Sequence, residues 1–439
     1  MWLLYLKLLC VCAFFCLSHS VKAQKWSLDS CLHHAINNNP ELQKLEMRVN
    51  QSDIKYEATA YSYYPSLDFQ VLSGNHTGMF IDPTTNILDF GNNYVNIFHL
   101  RSEVLIFNNF HNRYYRQLYK NQVDINEWQY EKRRNELLLN IIQGYYHIAF
   151  LRHKVDLINQ RKQTIEQKMT FIKASVDAGL IHRRDLLVFE YMSARDQADI
   201  MKAESRIQRQ LFYMSQLLGL HQNSGFDIET LSFDIILNNT NAVQFETVLE
   251  AATEFYPHLK LGQSYIKYAE NNLNLARTAF YPKLSLEGNV GTKTSTHNTL
   301  VDFGGQLSEN NFQYVGLKLN VPIYNRQQTR TQLAVAQIDY DRAKLTALQL
   351  RLEIERMIND AVIRHNDAIE LLNVYQKKYQ SVYNEFSFAS RNFDLGNIGV
   401  FELSEIASRF IDAEKELLNA QFELVVSHMM LSFYSGTFM

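Results

Sequence analysis

Cysteine and proline are both scarce in this chain: four and six among 439 residues. Three of the cysteines, Cys10, Cys12 and Cys16, sit in an N-terminal apolar stretch. If that stretch is removed, Cys31 stands alone and no intrachain disulfide can form. The formal net charge is only −3, so no basic face for nucleic acid is indicated. Beyond the N-terminal stretch there is no apolar run of about eighteen residues, which excludes a transmembrane helix. Enzyme signatures are missing as well: there is no HExxH, GxxxxGK[ST] or GxSxG, and Cys31 has no evident catalytic setting. His33 and His34 are adjacent, so they do not share a helix face, and no partner stands at ligand spacing. Neither a metal nor any other cofactor is expected.

What is present begins with "MWLLYLKLLCVCAFFCLSHSVKAQ". Lys7, the apolar core Leu8 to Leu17 and the small-residue pattern Val21-Lys22-Ala23 make residues 1–23 a secretory signal, with Gln24 as the mature start. Lipid attachment at Cys16 is the alternative, although Ala13-Phe14-Phe15 is a poor lead-in. The mature chain is rich in Leu, Ala, Glu, Gln, Arg and Lys, a mixture that predicts a mostly helical protein with some strand.

The phrase "YYPSLDF" at 63–69 returns as "FYPKLSL" at 280–286, which sets Pro65 and Pro282 217 residues apart. The same offset joins Pro40 to Pro257, "EVLIFN" at 103–108 to "NVPIYN" at 320–325, and Gly179 to Gly396. Four landmarks in one register indicate duplication of a whole unit. The reading is a first repeat over 24–220, an inter-repeat segment over 221–256 beside the midpoint of the long helices, and a second repeat over 257–439.

Each repeat has the same order of parts. Asn39 is placed to cap a helix beginning at Pro40 and running to about Tyr64; its partner runs from Pro257 to Tyr281. Pro65 and Pro282 mark the switch from helix to strand. Leu67, Phe69 and Val71 alternate with Ser66, Asp68 and Gln70, and Leu284 and Leu286 alternate likewise, so β-hairpins are expected over 66–106 and 283–323. Their second strands put Phe98, Leu100 and Val104 on one face, and Val315, Leu317, Leu319 and Val321 on the matching one. The Gly-, Asn- and Thr-rich stretches between them read as long loops. The "DFG" in each is expected to be a turn, since no other kinase motif accompanies it. Long helices follow from about 109 to 177 and 326 to 394, without proline and with helical periodicity at Leu137, Ile141, Tyr145 and Ile148 and at Ile354, Ile358 and Val362. At 1.5 Å per residue each would be about 100 Å long. They end at turns marked by Gly179 and Gly396, after which helices of about 36 residues return.

Four strands of about ten residues with one apolar face fit a membrane β-barrel. Four cannot close a barrel, which needs at least about eight, and an open edge in lipid leaves backbone groups unsatisfied. Several chains must therefore share one barrel. The competing reading is a soluble coiled-coil protein with a small β-domain.

The start "WSLDSCLHHAINNNPEL", the two "YP-x-L" phrases and the turns "AGLIHRRDLL" and "LGNIGVFELSEI" resemble the TolC-like outer-membrane efflux proteins. The mature start "QKWSLDSCLHHAI" is further similar to members from Bacteroidetes-type bacteria. The family resemblance implies a homotrimer: a twelve-stranded barrel in outer-membrane lipid, continued by a long α-helical barrel across the periplasm. It also implies docking on a periplasmic adaptor (membrane fusion) protein joined to an inner-membrane pump of RND or ABC type. The chain would be a passive duct for export of small molecules or proteins; the alternative is an envelope-spanning trimeric structural or adhesive protein without a channel.

The turn residues Gly179, Leu180, Asp185, Gly396 and Asn397 would then form the adaptor-docking end. Asp185 and Glu402 correspond at the 217 offset, and an acid in the first turn of a helix suits its dipole. Glu402 and Glu405, three apart and so facing the same way, occupy places where the resembling family carries aspartates that line the closed periplasmic tip. They are the expected pore constriction, against the simpler reading of a solvated face. Ile398 stands where family members can carry an arginine that helps lock the tip, which departs from that pattern.

Overall fold

Capping residues and prolines set the element boundaries of the first repeat. In the computed structural model, residues 25–179, 181–220, 225–229, 242–298 and 300–436 are described. The expected leader with Cys16, and Leu180, lie outside them. A two-residue strand β1 (Lys25–Trp26) precedes α1 (Leu28–Asn38), whose N-cap Ser27 accepts a hydrogen bond from the Ser30 amide. Asn39 then caps α2 (Pro40–Ala58): its Oδ1 accepts from the amides of Glu41 at 2.9 Å and Leu42 at 3.2 Å. A 3₁₀ turn (Thr59–Tyr63) follows, and Pro65 directly precedes β2 (Ser66–Ile81), which turns into β3 (Leu88–Phe107). The long helix α3 (His111–Asp177) and its return α4 (Arg183–Leu217) complete the first copy. After β4 (Asp227–Ile228) come α5 (Phe245–Phe255), α6 (Pro257–Thr278), β5 (Lys283–Ser295), the short α7 (Phe303–Glu309), β6 (Phe312–Asn320), α8 (Gln328–Asp394) and α9 (Val400–Tyr434).

The duplication reaches individual backbone angles. Both long helices have 67 residues and both return helices 35, with bounds one offset apart. The non-glycine residues Asn109 (φ 52°) and Phe110 (φ 60°), at the strand-to-helix corner, match Arg326 (φ 54°) and Gln327 (φ 63°). The same offset relates α1 to α5, so the second copy already begins at Phe245, inside the stretch expected as the inter-repeat segment 221–256. That boundary is corrected accordingly: α5 carries no proline or glycine landmark, and its match to α1 is structural.

The chain forms two compact units, and each takes parts of both repeats. One comprises Met1–Leu45, Tyr130–Pro257 and Leu352–Met439, the other Glu46–Gln129 and His258–Arg351. In the first unit, β1 and β4 pair in parallel against the middle of α3. Ile141, Tyr145 and Ile148 are fully buried there with Ile228, and the Tyr145 hydroxyl donates to the Trp26 carbonyl at 3.0 Å. Ile354, Ile358 and Val362, the counterparts of Leu137, Ile141 and Tyr145 one offset along, are buried against Val248 and Ala252 of α5. The helical periodicity read at both sets of positions is thus core spacing. Cys31 is fully buried in the first cluster; burial, then the nearby Glu229 carboxylate, pushes its thiol up to about 12, so it stays protonated.

In the second unit the strands form one antiparallel sheet in the order β2-β3-β5-β6. The long loop expected in the first hairpin is corrected: β2 has 16 residues and β3 has 20, leaving only residues 82–87 between them. The polar stretch stays in strand because its side chains bond across the ladder, Ser73 to Asn96 at 2.7 Å and Thr77 to Asn92 at 2.8 Å. The expected "DFG" turns are also corrected. Asp89-Phe90-Gly91 lies within β3, paired with Phe80, Met79 and Gly78, and Asp302 is the N-cap of α7, its carboxylate accepting from the Gly305 amide at 3.2 Å. The expected helices to Tyr64 and Tyr281 end earlier, at Ala58 and Thr278, with a tighter turn completing the first.

Candidate channel and docking sites

Register fixes the two faces of the sheet. Phe69 pairs with Leu100 and Leu100 with Val290; Leu286 pairs with both Val104 and Leu317; Leu284 pairs with Leu319. These apolar side chains share one face. It is bare: Leu67 is 69% exposed, Phe69 68%, Val315 76% and Leu317 64%. The opposite face is charged. Arg101 holds Glu287 at 2.8 Å and Glu103 at 3.1 Å, and Lys318 stands 3.9 Å from both glutamates. Water cannot be the natural neighbour of so broad an apolar face, whereas a lipid exterior with a polar lumen accounts for both faces together. Among the described residues no helix is long and apolar enough to cross a membrane.

At the end of α3, Gly179 adopts φ 72° with its amide bonded to the Val176 carbonyl at 2.9 Å. At the end of α8, Gly396 adopts φ 78° with its amide bonded to the Phe393 carbonyl at 2.9 Å. Asn397 continues that turn, its amide reaching the Asn392 carbonyl at 2.8 Å. Both glycines thus end their helices in the left-handed region, as a C-terminal cap requires. Asp185 lies half-buried in the first turn of α4.

Glu402 and Glu405 are exposed at the start of α9, while Leu403 and Ile406, each one residue further along, are buried against α3 and α4 residues such as Ile165, Ile172 and Phe189. Ile398 packs against the same cluster, giving that position an apolar anchoring role. Arg409, which no motif marks, lies 4.0 Å from Glu405 and 2.6 Å from Glu385. Among the described residues, Glu402 is therefore the carboxylate of the pair without a cation in ion-pair range. Nearby, Phe410 stacks on Phe386 at 4.9 Å, bracketed by Tyr379 and Tyr383.

Higher on the helices, Arg161 makes a fork to Asp196 at 2.7 and 3.0 Å and a third bond to Glu414 at 3.0 Å. The three side chains are 16%, 2% and 20% exposed. Burial pushes Glu414 up, and Arg161 offsets only part of that rise.

Residues 31–220 and 248–437 match the model of the outer membrane efflux protein family, and the two matched spans are themselves one repeat offset apart. The outer membrane protein TolC of Vibrio cholerae is 20% identical over 312 residues, covering 70% of this chain and 69% of that protein. The cation efflux system protein CusC of Escherichia coli is 18% identical over 414 residues, covering 91% and 84%. A crystal structure of CusC shares the fold with a TM-score of 0.80 at 15% identity, over 94% of this chain and 93% of that one. The Campylobacter jejuni CmeC outer membrane channel gives 0.76 at 16% identity, over 94% and 86%. The chain belongs to the outer membrane efflux protein family. Its place is the outer membrane, extending into the periplasm.

Proposed function

We propose that three copies of this chain form a passive export duct, closed as a twelve-stranded barrel and coupled through a periplasmic adaptor to an inner-membrane pump of RND or ABC type. The observation that carries this is the sheet with a bare apolar face and two unpaired edges, β2 and β6. In lipid those edges must pair, and β6 of one copy meeting β2 of the next is the closure available to identical chains. Family membership supports the export role. Native mass spectrometry of the detergent-extracted protein should give a trimer, and planar bilayers should show open-channel conductance. A monomer, or a trimer that never conducts, would sink the proposal and favour an adhesive or structural role.

In this reading Glu402 and Glu405 narrow the periplasmic entrance, where threefold assembly multiplies their charge and favours cations. Arg409 tempers Glu405, so most of the preference is assigned to Glu402. In the same bilayers, Glu402→Ala should weaken cation preference more than Glu405→Ala does. Equal reversal potentials in wild type and both variants would return the pair to a solvated face.

The turns at Gly179 and Gly396, with Leu180, Asp185 and Asn397, are the proposed adaptor-docking end. A Cβ built at either glycine meets nothing within 4 Å, so the constraint there is the backbone angle alone. A β-branched residue at that angle costs about 1–3 kcal/mol. Gly396→Val should therefore distort the turn and lower cross-linking to the adaptor without unfolding the chain. Unchanged cross-linking in both Gly179→Val and Gly396→Val would argue against this placement.

A further inference from the structure

A cavity of about 390 Å³ opens where α2, α3 and α6 meet in the second unit, and none of its lining residues belongs to the sheet. Its lining is unusual in charge: Arg48 and Lys55 contribute two cations, and among the described residues no Asp or Glu lines it. Among the described residues neither cation is held in an ion pair. The floor is made of neutral hydrogen-bonding groups. Gln122 and Asn126 bond each other at 3.2 Å, and Tyr119 accepts from Tyr115 at 3.2 Å. The half-buried Tyr268 beside them has no hydrogen-bond partner among the described residues.

Two cations unopposed by carboxylates set up a positive field in a partly enclosed site, where charge-assisted hydrogen bonds are at their strongest. Amide and phenol groups on the floor suit hydroxyls, which need donors and acceptors in turn. Arg48 and Lys55 are seven residues apart on one helix, roughly 10 Å along its axis, and their long side chains reach a common point between them. We propose that this cavity binds a soluble phosphate ester of a sugar or similar polyol, with Arg48 and Lys55 on the phosphate and the floor on the hydroxyls. A membrane lipid carries the same phosphate chemistry but is less well placed. Lys55 and Arg48 precede the first strand residue, Ser66, by about 11 and 18 positions, or roughly 15–27 Å of helix. The headgroup layer is only about 5–8 Å deep.

The test uses the full-length protein in detergent and isothermal titration with glucose 6-phosphate, inorganic phosphate and glucose. Glucose 6-phosphate should bind, glucose should not, and inorganic phosphate should bind more weakly. Arg48→Gln and Lys55→Gln should each weaken glucose 6-phosphate binding about tenfold. Arg48→Lys should restore part of the loss. Both side chains are exposed, so the variants should keep the wild-type melting temperature, and that is measured alongside. Equal binding by wild type and the double Gln variant, or no binding by wild type, overturns the proposal. A second arm places the protein in bilayers of phosphatidylcholine with and without phosphatidylglycerol and follows retained lipid by native mass spectrometry. Retention of phosphatidylglycerol that depends on Arg48 and Lys55, with no glucose 6-phosphate binding, overturns the soluble ligand in favour of the lipid headgroup.

Discussion

Replacing Arg161 with Met is expected to cost about 3–5 kcal/mol, the scale for removing one partner of a buried charge network. Asp196 and Glu414 would then face each other in a largely buried site, with no cation between them. Thermal melting followed by circular dichroism reads the loss. Its pH dependence identifies the cause. Glu414 is already raised by burial, and losing Arg161 raises it further above its unfolded value. A carboxyl raised in the folded state regains stability as pH falls through its folded pKa and loses it as pH rises. The variant should therefore be weakest near neutral pH and recover on acidification. Melting like wild type at neutral pH would show that the triad contributes little, and a pH-independent defect would point to lost packing by the arginine stem.

Leu317→Arg should prevent stable barrel formation, whereas Lys318→Gln, one residue along on the opposite face, should not. An arginine facing lipid near the bilayer midplane costs about 2–4 kcal/mol. Three copies would carry three such charges in one barrel. Lys318 sits 3.9 Å from both Glu103 and Glu287 on the charged face, partly exposed, so its loss is a small electrostatic change. Heat-modifiable migration of the outer-membrane fraction and native mass spectrometry read assembly. If both variants assemble equally well, the assignment of faces is wrong.

Much of the fold was legible because its signals are local and were written twice. Pro40, Pro65 and Gly179 recur one offset along, and each performs a backbone task that few residues can share: a first helical turn, a strand entry, a left-handed cap. The period-2 apolar pattern at Leu67, Phe69 and Val71 read correctly as strand for the same reason. The upper parts of β2 and β3 were missed because strands beyond the apolar band have no need of an alternating hydrophobic face, and composition alone then resembles a loop. Partnerships across long separations were invisible. Arg409 beside Glu405, and Arg161 joined to Glu414 253 positions away, are ordinary surface-type residues in sequence. Nothing short of the packed helices brings them together.

The Arg161 network also says something about descent. Each of its three positions has a counterpart in the other copy: Lys378 for Arg161, Ala413 for Asp196, and Gln197 for Glu414. None of these can rebuild the triad. Lys378 instead pairs with Glu416 at the surface, and Gln197 accepts from Lys162. A chain made by joining two first halves would keep Arg161 and Asp196 but offer Gln197's equivalent where Glu414 now stands. The two halves have thus ceased to be interchangeable parts: backbone symmetry survives between them, while their charges have specialised into complementary roles that make reversion to a half-length ancestor unavailable without unmaking the buried network.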